Sequence, residues 1–439
     1  MKNLKQELED RWLLYQNSND ELFDKFDKWE GTFYCGFDPT ADSLHLWNFI
    51  GFMVAVHLMR RGNKYIALTG WATGMIWDPG WKDSERSFLS LEDLDKNEFC
   101  ISNQITLILN NLTSIQNSFL INPEENKFFT RNFKFDFVNN KDFYKDMWYL
   151  DFLREVWKYI TINNMIAKDT VKKRVEDPSK SISYTEFSYM LLQGYDFVHL
   201  FKEKWVTLQI WWQDQWGNLV TGTELIRKKY DWEANVFTWP LITDATGRKF
   251  GKSEWNAIWL DKSKTSPYEI YQYFMNTSDD DISRYLKMLT LIETEEIDEI
   301  VKKHMETPEN REWQKVLAYK VVEIIHGTKE ADLALRITDF MFGWADRLEV
   351  LKSLDNDEID TFMNAMWGFK YDEENLFETI VKSWLAKSNS EARQAVQSWA
   401  INIQEEKITD FKHDFSNDFI NDKVLLIRKW KKNFRIISK

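Results

Sequence analysis

An alternation of short apolar strands with helical segments is the feature that most constrains the fold. Strands are predicted at Thr32–Phe37 and Lys64–Thr69, each followed by a turn and then by helical periodicity, and at Val206–Ile210, which ends at polar residues. Strands that are separated by helices form a parallel sheet, and ligands bind such sheets beyond the carboxyl ends of the strands. The sequence therefore predicts an α/β fold with a parallel sheet and a ligand site at the carboxyl edge of that sheet.

The pattern changes along the rest of the chain. From about Asp261 to Phe342 it is helical, an acidic stretch follows, and the end of the chain combines a helix, short strands and a run rich in lysine and arginine. We therefore predict four parts, at residues 1–262, 263–345, 346–375 and 376–439. In that order they are an α/β domain, a helical domain, a connector and a small α+β domain.

Charge and cysteine content exclude several classes of protein. The formal net charge is −13 and the isoelectric point is near 5.2, so the overall electrostatic field of the chain does not attract nucleic acid. Any RNA contact must come from a local basic patch. Cys35 and Cys100 form no Cys/His cluster, which favours a reducing compartment without a structural zinc. The most apolar stretch, Leu44–Met59, is short and contains two histidines, so we expect a buried helix in a cytoplasmic protein without a membrane segment.

Two short segments carry groups that suit phosphate chemistry. Segment 45–48 reads His-Leu-Trp-Asn and opens a helix, where a ring nitrogen and an amide can hydrogen-bond phosphate oxygens. Segment 249–253 reads Lys-Phe-Gly-Lys-Ser and places two ammonium groups and a hydroxyl around a glycine, which suits a triphosphate. Taken alone, each segment also fits an ordinary helix start or a surface loop.

A stripe of polar side chains lies on the helix predicted from about Tyr184 to Leu200. Tyr189, Gln193 and Asp196 recur at positions i, i+4 and i+7, so they share one face of an otherwise apolar helix. Such a stripe is either a buried structural network or one wall of a site for a polar ligand.

In order and spacing, these segments resemble the bacterial tyrosyl-tRNA synthetases, which are class I enzymes, from about Arg11 to Ser438. Segment 34–45 matches that family residue for residue, and segments 45–48 and 249–253 resemble its two class I signatures. The resemblance implies a Rossmann-like catalytic domain, a helical anticodon-region domain and a C-terminal RNA-binding domain. It also implies activation of tyrosine by ATP with Mg²⁺, transfer to tRNA(Tyr), and a homodimer.

The resemblance also assigns roles to individual residues. It implies catalytic roles for Thr40, His45, Asn48, Lys82, Arg86, Lys249, Lys252 and Ser253. It implies tyrosine binding by Tyr34, Thr73, Asp78, Asn140, Tyr189, Gln193, Asp196, Gln209 and Gln215. It implies ATP binding by Cys35, Gly36, Asp38, Trp47, Trp212 and Asp214. Within the tyrosine set, Tyr34 and Asp196 would bond the phenol hydroxyl.

Tryptophan stands at thirteen positions where the resembling family has glycine. They are positions 12, 47, 71, 77, 81, 157, 205, 211, 212, 255, 384, 399 and 430. The chain has 15 glycines and 22 tryptophans in 439 residues, and glycine at the thirteen positions would raise its count to 28, close to the usual ~7%. Our hypothesis is that a codon read as glycine in the source, with UGA as the candidate, is written here as tryptophan.

Two alternatives stay open at the level of sequence. A tryptophanyl-tRNA synthetase shares the class I signatures, although the pair of Tyr34 and Asp196 and the basic end of the chain argue against it. The second alternative is a catalytically inactive RNA-binding relative. Glycine lets a backbone approach a nucleotide closely, and indoles at the same positions would fill the site.

Overall fold

The computed structural model describes residues 2–28, 31–76, 78, 88–119, 133–177, 182–243, 247, 250–251, 257–304, 306–343, 346–372, 375–415, 418–430 and 433–439. The strands in these residues are β1 (Gln16–Asn17), β2 (Thr32–Phe37), β3 (Lys64–Thr69), β4 (Lys134–Asn139), β5 (Leu208–Trp212), β6 (Asn235–Trp239), β7 (Phe369–Lys370), β8 (Ile401–Ile403), β9 (Glu406–Lys407), β10 (Val424–Lys429) and β11 (Asn433–Ser438).

The helices up to the anticipated helical region are α1 (Leu4–Asp10), α2 (Glu21–Asp27), α3 (Phe49–Arg60), α4 (Trp71–Gly74), α5 (Leu91–Phe119), α6 (Lys141–Tyr144), α7 (Tyr149–Glu155), α8 (Ile162–Ile166), α9 (Asp169–Val175), α10 (Tyr184–Lys204) and α11 (Trp216–Tyr230). The later helices are α12 (Pro267–Met275), α13 (Asp279–Leu289), α14 (Thr294–His304), α15 (Glu312–His326), α16 (Thr328–Phe342), α17 (Arg347–Lys352), α18 (Asn356–Ala365), α19 (Leu376–Lys382) and α20 (Asn389–Gln397).

Contacts divide the chain into two compact units. The first comprises residues 1–266 and 273–327, and the second comprises residues 267–272 and 328–439. The four-part division drawn from the sequence groups these segments differently and stays a prediction. Among the described residues, no helix combines the length and the apolar character that crossing a membrane requires.

The first unit contains the parallel sheet that the sequence predicts. Its strand order is β1-β6-β5-β2-β3-β4, in which β2 to β6 run parallel and β1 pairs antiparallel with β6. β2 and β3 have the predicted bounds. β5 starts at Leu208 and not at Val206, and it continues through Trp212 because Trp211 and Trp212 pair with β6. Trp211 and Trp212, which follow the predicted strand, therefore belong to β5.

Two helices place the site against this sheet. Every residue of α3 is buried, as the sequence predicts for this apolar stretch. α10 begins at a capping box, in which the Ser183 hydroxyl accepts the Glu186 N–H at 3.2 Å and the Glu186 carboxylate accepts the Ser183 N–H at 3.1 Å. α10 packs closely on α11 because Gly222 has no side chain: a Cβ there would lie 2.9 Å from the Phe197 ring.

The second unit is α+β. Its sheet has the order β7-β11-β10-β8-β9, with β10 and β11 forming an antiparallel pair along their full length. One face of the sheet packs on α19 and α20 through a cluster that includes Ile380, Val396 and Ile427. The other packs on α16 to α18 through a cluster that includes Phe340, Phe362 and Ile436. The small α+β fold predicted for the end of the chain is thus confirmed.

Candidate active site

A cavity of about 360 Å³ opens at the carboxyl ends of β2 and β5. Its lining includes sixteen of the residues to which the sequence assigned roles. They are Tyr34, Gly36, Asp38, Thr40, His45, Trp47, Asn48, Thr73, Asp78, Tyr189, Gln193, Asp196, Gln209, Trp212, Asp214 and Gln215. The fold therefore gathers residues from six separate segments of the chain around one space.

The other seven residues with predicted roles fall into two groups. Lys82, Arg86, Lys249, Lys252 and Ser253 lie outside the described residues. Cys35 is buried in β2 between two lining residues, and its Sγ would lie 3.8 Å from a Cβ at Gly51 on α3. Successive strand residues point to opposite faces, so only the backbone of Cys35 can face a ligand. Asn140 is buried behind the wall of the cavity.

The closed end of the cavity is formed by Tyr34 and Asp196, both buried. The Asp196 carboxyl accepts a hydrogen bond from Nδ2 of Asn140 and one from the hydroxyl of Tyr144, each at 2.9 Å. The Tyr34 hydroxyl is buried and makes no hydrogen bond with a described residue. Unpaired buried hydroxyls are costly, so this end of the cavity is complementary to a ligand with a polar group at its tip.

Burial dominates the electrostatics of this end. It raises the pKa of Asp196 to about 8, against the opposing hydrogen bonds from Asn140 and Tyr144. It also raises the pKa of Tyr34 well above its usual range, and the nearby Asp196 raises it further. At neutral pH both groups therefore carry protons. Together they can donate and accept hydrogen bonds with a single hydroxyl.

Carboxylates and amide oxygens dominate the middle of the cavity. Asp38 accepts hydrogen bonds from the hydroxyls of Tyr189 at 2.7 Å and Thr73 at 2.6 Å. Nε2 of Gln215 donates to Asp78 at 2.5 Å. The Oε1 atom of Gln193 is buried and accepts no hydrogen bond from a described residue. Oxygen acceptors of this kind suit an ammonium group on a ligand.

His45 and Asn48 lie at the start of α3, where a short 3₁₀ turn over Leu46–Asn48 enters the helix. Oδ1 of Asn48 accepts the backbone N–H of His45 at 3.0 Å, so the amide nitrogen of Asn48 remains as a donor. The His45 ring packs against Trp259 in a tilted arrangement, with ring centroids 3.9 Å and ring planes 32° apart. This contact orients the imidazole at the mouth of the cavity, as a phosphate donor requires.

The second signature segment lies beside the first. The Ile258 N–H donates to the Gly251 carbonyl at 3.0 Å, and the Leu46 N–H donates to the Ile258 carbonyl at 2.8 Å. Gly251 has a φ of 77°, and a Cβ at this position would lie 3.2 Å from the backbone nitrogen of Trp47. Of the segment 249–253, the two described residues, Phe250 and Gly251, thus stand next to the segment 45–48.

Two tryptophans occupy the part of the cavity that the resemblance assigns to ATP. The rings of Trp47 and Trp212 lie 6.5 Å apart, and Trp212 packs on Trp239 with centroids 5.4 Å apart. Asp214 and Asp38 lie on the same lining. The indoles of Trp47 and Trp212 therefore lie in the part of the cavity where they were expected to obstruct a nucleotide.

Tyr144 is a site residue that the sequence reasoning missed. Besides Asp196, its hydroxyl contacts the carbonyl of Leu192 at 2.8 Å. A signal was present, because Tyr144 follows Asn140 at a spacing of four and the two side chains meet on one helical turn. The segment lacked a recognisable periodicity because α6 has only four residues.

Family models match two parts of the chain. Residues 28–343 match tRNA synthetases class I (W and Y), and residues 358–437 match the tyrosine–tRNA ligase SYY-like C-terminal domain. The chain is 39% identical to the tyrosine–tRNA ligase of Streptococcus gordonii over 98% of this chain and 99% of that protein. The identity to that of Streptococcus suis is also 39%, over 99% of this chain and all of that protein.

Solved structures give the same assignment. A C-terminally truncated mitochondrial tyrosyl-tRNA synthetase from Aspergillus nidulans superposes with a TM-score of 0.67 at 30% identity, covering 76% of this chain and 92% of that one. The corresponding enzyme from Coccidioides posadasii gives 0.66 at 28% identity, covering 76% and 91%.

Proposed function

This chain belongs to the tyrosyl-tRNA synthetases, and on that premise we propose how its cavity performs the tyrosine–tRNA ligase reaction. The enzyme activates tyrosine with ATP and transfers the tyrosyl group to tRNA. The observation that carries our assignment of the cavity is the unpaired Tyr34 hydroxyl beside Asp196 at its closed end.

The phenol of tyrosine lies at this closed end. Its hydroxyl would bond Tyr34 and Asp196, while its ammonium group reaches the acceptors of Asp78, Tyr189 and Gln193, all of which line the same cavity. Phenylalanine in that pose would leave the two buried groups unpaired. Rejection of a substrate that lacks a hydroxyl in this way is a device already known from tyrosyl-tRNA synthetases themselves.

ATP lies toward the mouth of the cavity. Asp38 and Asp214 suit the ribose and adenosine, and Thr40, His45 and Asn48 suit the phosphates, with Lys82, Arg86, Lys249, Lys252 and Ser253 as the proposed cationic clamp. No group of three or more metal-ligating side chains occurs among the described residues. We therefore assign Mg²⁺ to the phosphates of ATP, as part of that substrate.

The reaction proceeds by in-line displacement. The tyrosine carboxylate attacks the α-phosphorus of ATP, the bond to the β-phosphate oxygen breaks, and pyrophosphate leaves. A ribose hydroxyl at the 3′ end of the tRNA then attacks the tyrosyl carbonyl, and AMP leaves. His45 and Asn48 donate hydrogen bonds to oxygens on which negative charge develops, so catalysis rests on positioning and charge stabilisation.

The second unit supplies the RNA contact, and a homodimer in the cytoplasm is the proposed state of the enzyme. Support for RNA binding comes from the exposed Lys407, Lys412 and Lys423 around the second sheet. Support for a dimer comes from Trp148 and Tyr149, at the start of α7, which are 66% and 57% exposed. Light scattering of the purified protein measures the mass of the assembly.

An inactive relative is the second candidate, and the rings of Trp47 and Trp212 in the cavity favour it. ATP–pyrophosphate exchange separates the two. The chain as written and a version with Trp→Gly at the thirteen family glycine positions are assayed with tyrosine, tryptophan and phenylalanine. We expect tyrosine-dependent exchange in the glycine version. Exchange that tryptophan supports equally would overturn the tyrosine assignment, and no exchange in either version would favour the inactive relative.

A further inference from the structure

Six tryptophans have a left-handed backbone. They are Trp12 (φ 59°), Trp205 (φ 54°), Trp367 (φ 56°), Trp384 (φ 60°), Trp399 (φ 60°) and Trp430 (φ 59°). They make up half of the described non-glycine residues with positive φ. In this region the Cβ of an L-residue crowds the following carbonyl, and asparagine and aspartate are the side chains that tolerate it best.

Four of these tryptophans close a helix in the same way. In each case the residue after the tryptophan donates its N–H to the carbonyl five residues before it. The donor–acceptor pairs are Leu13 to Leu8 (2.7 Å), Gly368 to Met363 (2.7 Å), Leu385 to Ile380 (3.2 Å) and Ala400 to Ala395 (2.9 Å). This is the hydrogen bond of a Schellman motif, in which the left-handed position is most often glycine.

Packing does not explain an indole at these positions. The six side chains are between 53% and 85% exposed. Buried tryptophans stabilise a fold by removing apolar area from water, and these do so only in part. At the end of α11, where the backbone is also left-handed, the chain carries Asp231, with a φ of 52°, which is an ordinary residue for this conformation.

We infer that positions 12, 205, 367, 384, 399 and 430 are occupied by glycine in the functional protein. Five of them are among the thirteen positions that the family resemblance singled out. Position 367 is not, and backbone geometry alone identifies it. Since geometry and resemblance select overlapping sets independently, one codon read as glycine accounts for both. The same reading extends to Trp47 and Trp212, where glycine would open the nucleotide part of the cavity.

Peptide mass spectrometry on the enzyme from its natural source tests the inference directly. Peptides that cover positions 367, 384 and 399 should carry the mass of glycine. Trp148, Trp239 and Trp259 are internal references, because they belong neither to the thirteen positions that the resemblance selects nor to the six with positive φ, and peptides covering them should carry tryptophan. Tryptophan at 367, 384 and 399 overturns the inference.

Thermal unfolding gives a second test with recombinant protein. The reference chain carries glycine at all six positions, and tryptophan is returned to one position at a time. We expect each return to lower Tm by about 2–8 °C. The matched control is Trp148→Gly, because Trp148 is also exposed but has a φ of −75°, and this change should not raise Tm. Tryptophan at position 384 that leaves Tm unchanged or raises it contradicts the inference.

A different observation concerns Tyr144, whose hydroxyl lies 2.9 Å from Oδ1 of Asp196 while Nδ2 of Asn140 lies 2.9 Å from Oδ2. The two contacts hold both oxygens of the carboxyl group. The Tyr144 ring is itself fixed against Tyr195, with centroids 5.5 Å apart. Asn140 and Tyr144 flank α6, so this short helix presents both partners to Asp196.

We propose that Tyr144 is a positioning residue that aims the Asp196 carboxyl at the phenol hydroxyl of tyrosine. This proposal rests on the assignment of the closed end of the cavity to tyrosine. The Tyr144 hydroxyl, which the Leu192 carbonyl also holds at 2.8 Å, keeps one Asp196 oxygen in place. Without it, the carboxyl can rotate, and the discrimination between tyrosine and phenylalanine should weaken.

Equilibrium dialysis with labelled tyrosine, and with phenylalanine as competitor, tests this role without ATP. Tyr144→Phe should raise the Kd of tyrosine about tenfold and leave that of phenylalanine within about twofold. Tyr195→Phe is the matched control, because it removes a neighbouring hydroxyl that makes no described hydrogen bond. If Tyr144→Phe weakens the binding of tyrosine and of phenylalanine equally, the proposal is overturned. Absence of tyrosine binding in the unmutated enzyme would instead count against the assigned site.

Discussion

The hydroxyl of Tyr189 donates a 2.7 Å hydrogen bond to Oδ2 of Asp38 and so joins α10 to the end of β2. The other oxygen of Asp38 accepts the Thr73 hydroxyl at 2.6 Å. The same carboxylate therefore borders the part of the cavity assigned to tyrosine and the part assigned to ATP. Binding of the two substrates should be coupled through this residue.

Tyr189→Phe removes that hydrogen bond and should weaken the binding of both tyrosine and ATP. A hydrogen bond to a charged group contributes about 1.5–3 kcal/mol, so we expect kcat/KM for tyrosine to fall at least tenfold, with a rise in the KM of ATP. Tyrosine-dependent ATP–pyrophosphate exchange measures both constants. Tyr184→Phe, at an exposed tyrosine on the same helix, is the control. A change confined to tyrosine would show that Asp38 does not couple the two parts.

Asp196 should affect the specificity for tyrosine more than it affects the affinity for ATP. Asp196→Ala removes the buried acceptor beside Tyr34 and leaves the lining near the cavity mouth intact. We expect the preference for tyrosine over phenylalanine to fall by at least tenfold, while the KM of ATP changes by less than about threefold. Exchange assays with each amino acid measure the preference. A larger effect on ATP than on the preference would contradict the assigned orientation of tyrosine.

The raised pKa of Asp196 predicts a pH dependence of stability. The folded state, with a pKa of about 8, holds a proton that the unfolded state, with its ordinary value near 4, releases. This group therefore favours folding most at low pH, and the contribution is lost as the pH rises toward 8. Between pH 6 and pH 8 the Tm of the tyrosine-free enzyme should fall. Asp196→Asn should flatten that fall, and an unchanged slope would refute the prediction.

The parallel sheet and its site were predictable because their signals are local. β2 and β3 are apolar segments of six residues that end where the polar motif residues begin, so pattern alone gave their bounds. Tyr189 and Asp196 shared a helical face and did meet in the cavity. The resemblance to a synthetase family is confirmed by the matching family models.

What the sequence could not give depends on contacts between distant segments. β5 runs two residues further than predicted, because pairing with β6 extends it through Trp212. Tyr144 was missed, since only the fold brings α6 against α10. The left-handed conformation of Trp367 was missed for another reason: it is a local feature, formed with the Gly368 to Met363 hydrogen bond that ends α18, but tryptophan is not a residue that signals this conformation.

Buried charges at the start of the chain predict sensitivity to acid. Glu7 is buried and forms ion pairs with Arg11 at 3.2 Å and Arg61 at 2.7 Å, while His57 Nδ1 lies 3.0 Å away. Burial, and next Arg11, lower the pKa of His57 to about 3. A histidine with a lowered folded pKa stabilises the fold above pH 6.5, and this stability is lost as the pH falls. In the Asp196→Asn variant, which lacks the opposing titration of Asp196, Tm should therefore fall from pH 6.5 toward pH 4.

Glu7→Gln tests the same cluster at neutral pH. It leaves the buried guanidinium of Arg11 without its carboxylate and leaves Arg61 with Asp27 alone, at 2.8 Å, and breaking a buried pair typically costs about 3–5 kcal/mol. Urea unfolding should show a loss of that order in the free energy of unfolding. The control is Glu9→Gln, at an exposed position on the same helix, which should change it by less than about 0.5 kcal/mol. A small effect of Glu7→Gln would mean that the arginines find other partners.

Basic residues of the second unit should affect the transfer step and not the activation step. Several are already paired, as Arg428 is with Glu405 at 2.5 Å and Lys429 with Glu391 at 2.8 Å, so they are poor candidates for RNA contacts.

Lys423 and Lys412 are exposed and make no described ion pair. Their replacement by glutamate should raise the KM of tRNA several-fold and lower the salt dependence of binding, because phosphate contacts release counterions. Tyrosyl-adenylate formation should stay within about twofold, since the cavity lies wholly in the first unit.

Removing residues 376–439 tests the same division between activation and transfer with a larger change to the protein. Charging of tRNA should fall steeply while adenylate formation largely survives. The cut also removes β10 and β11, whose residues share a core with α16 to α18, so circular dichroism and Tm must accompany the assay. The charge variants avoid this loss of core. If they leave the KM of tRNA unchanged while the truncation abolishes both steps, the C-terminal segment is structural and the proposed division of labour fails.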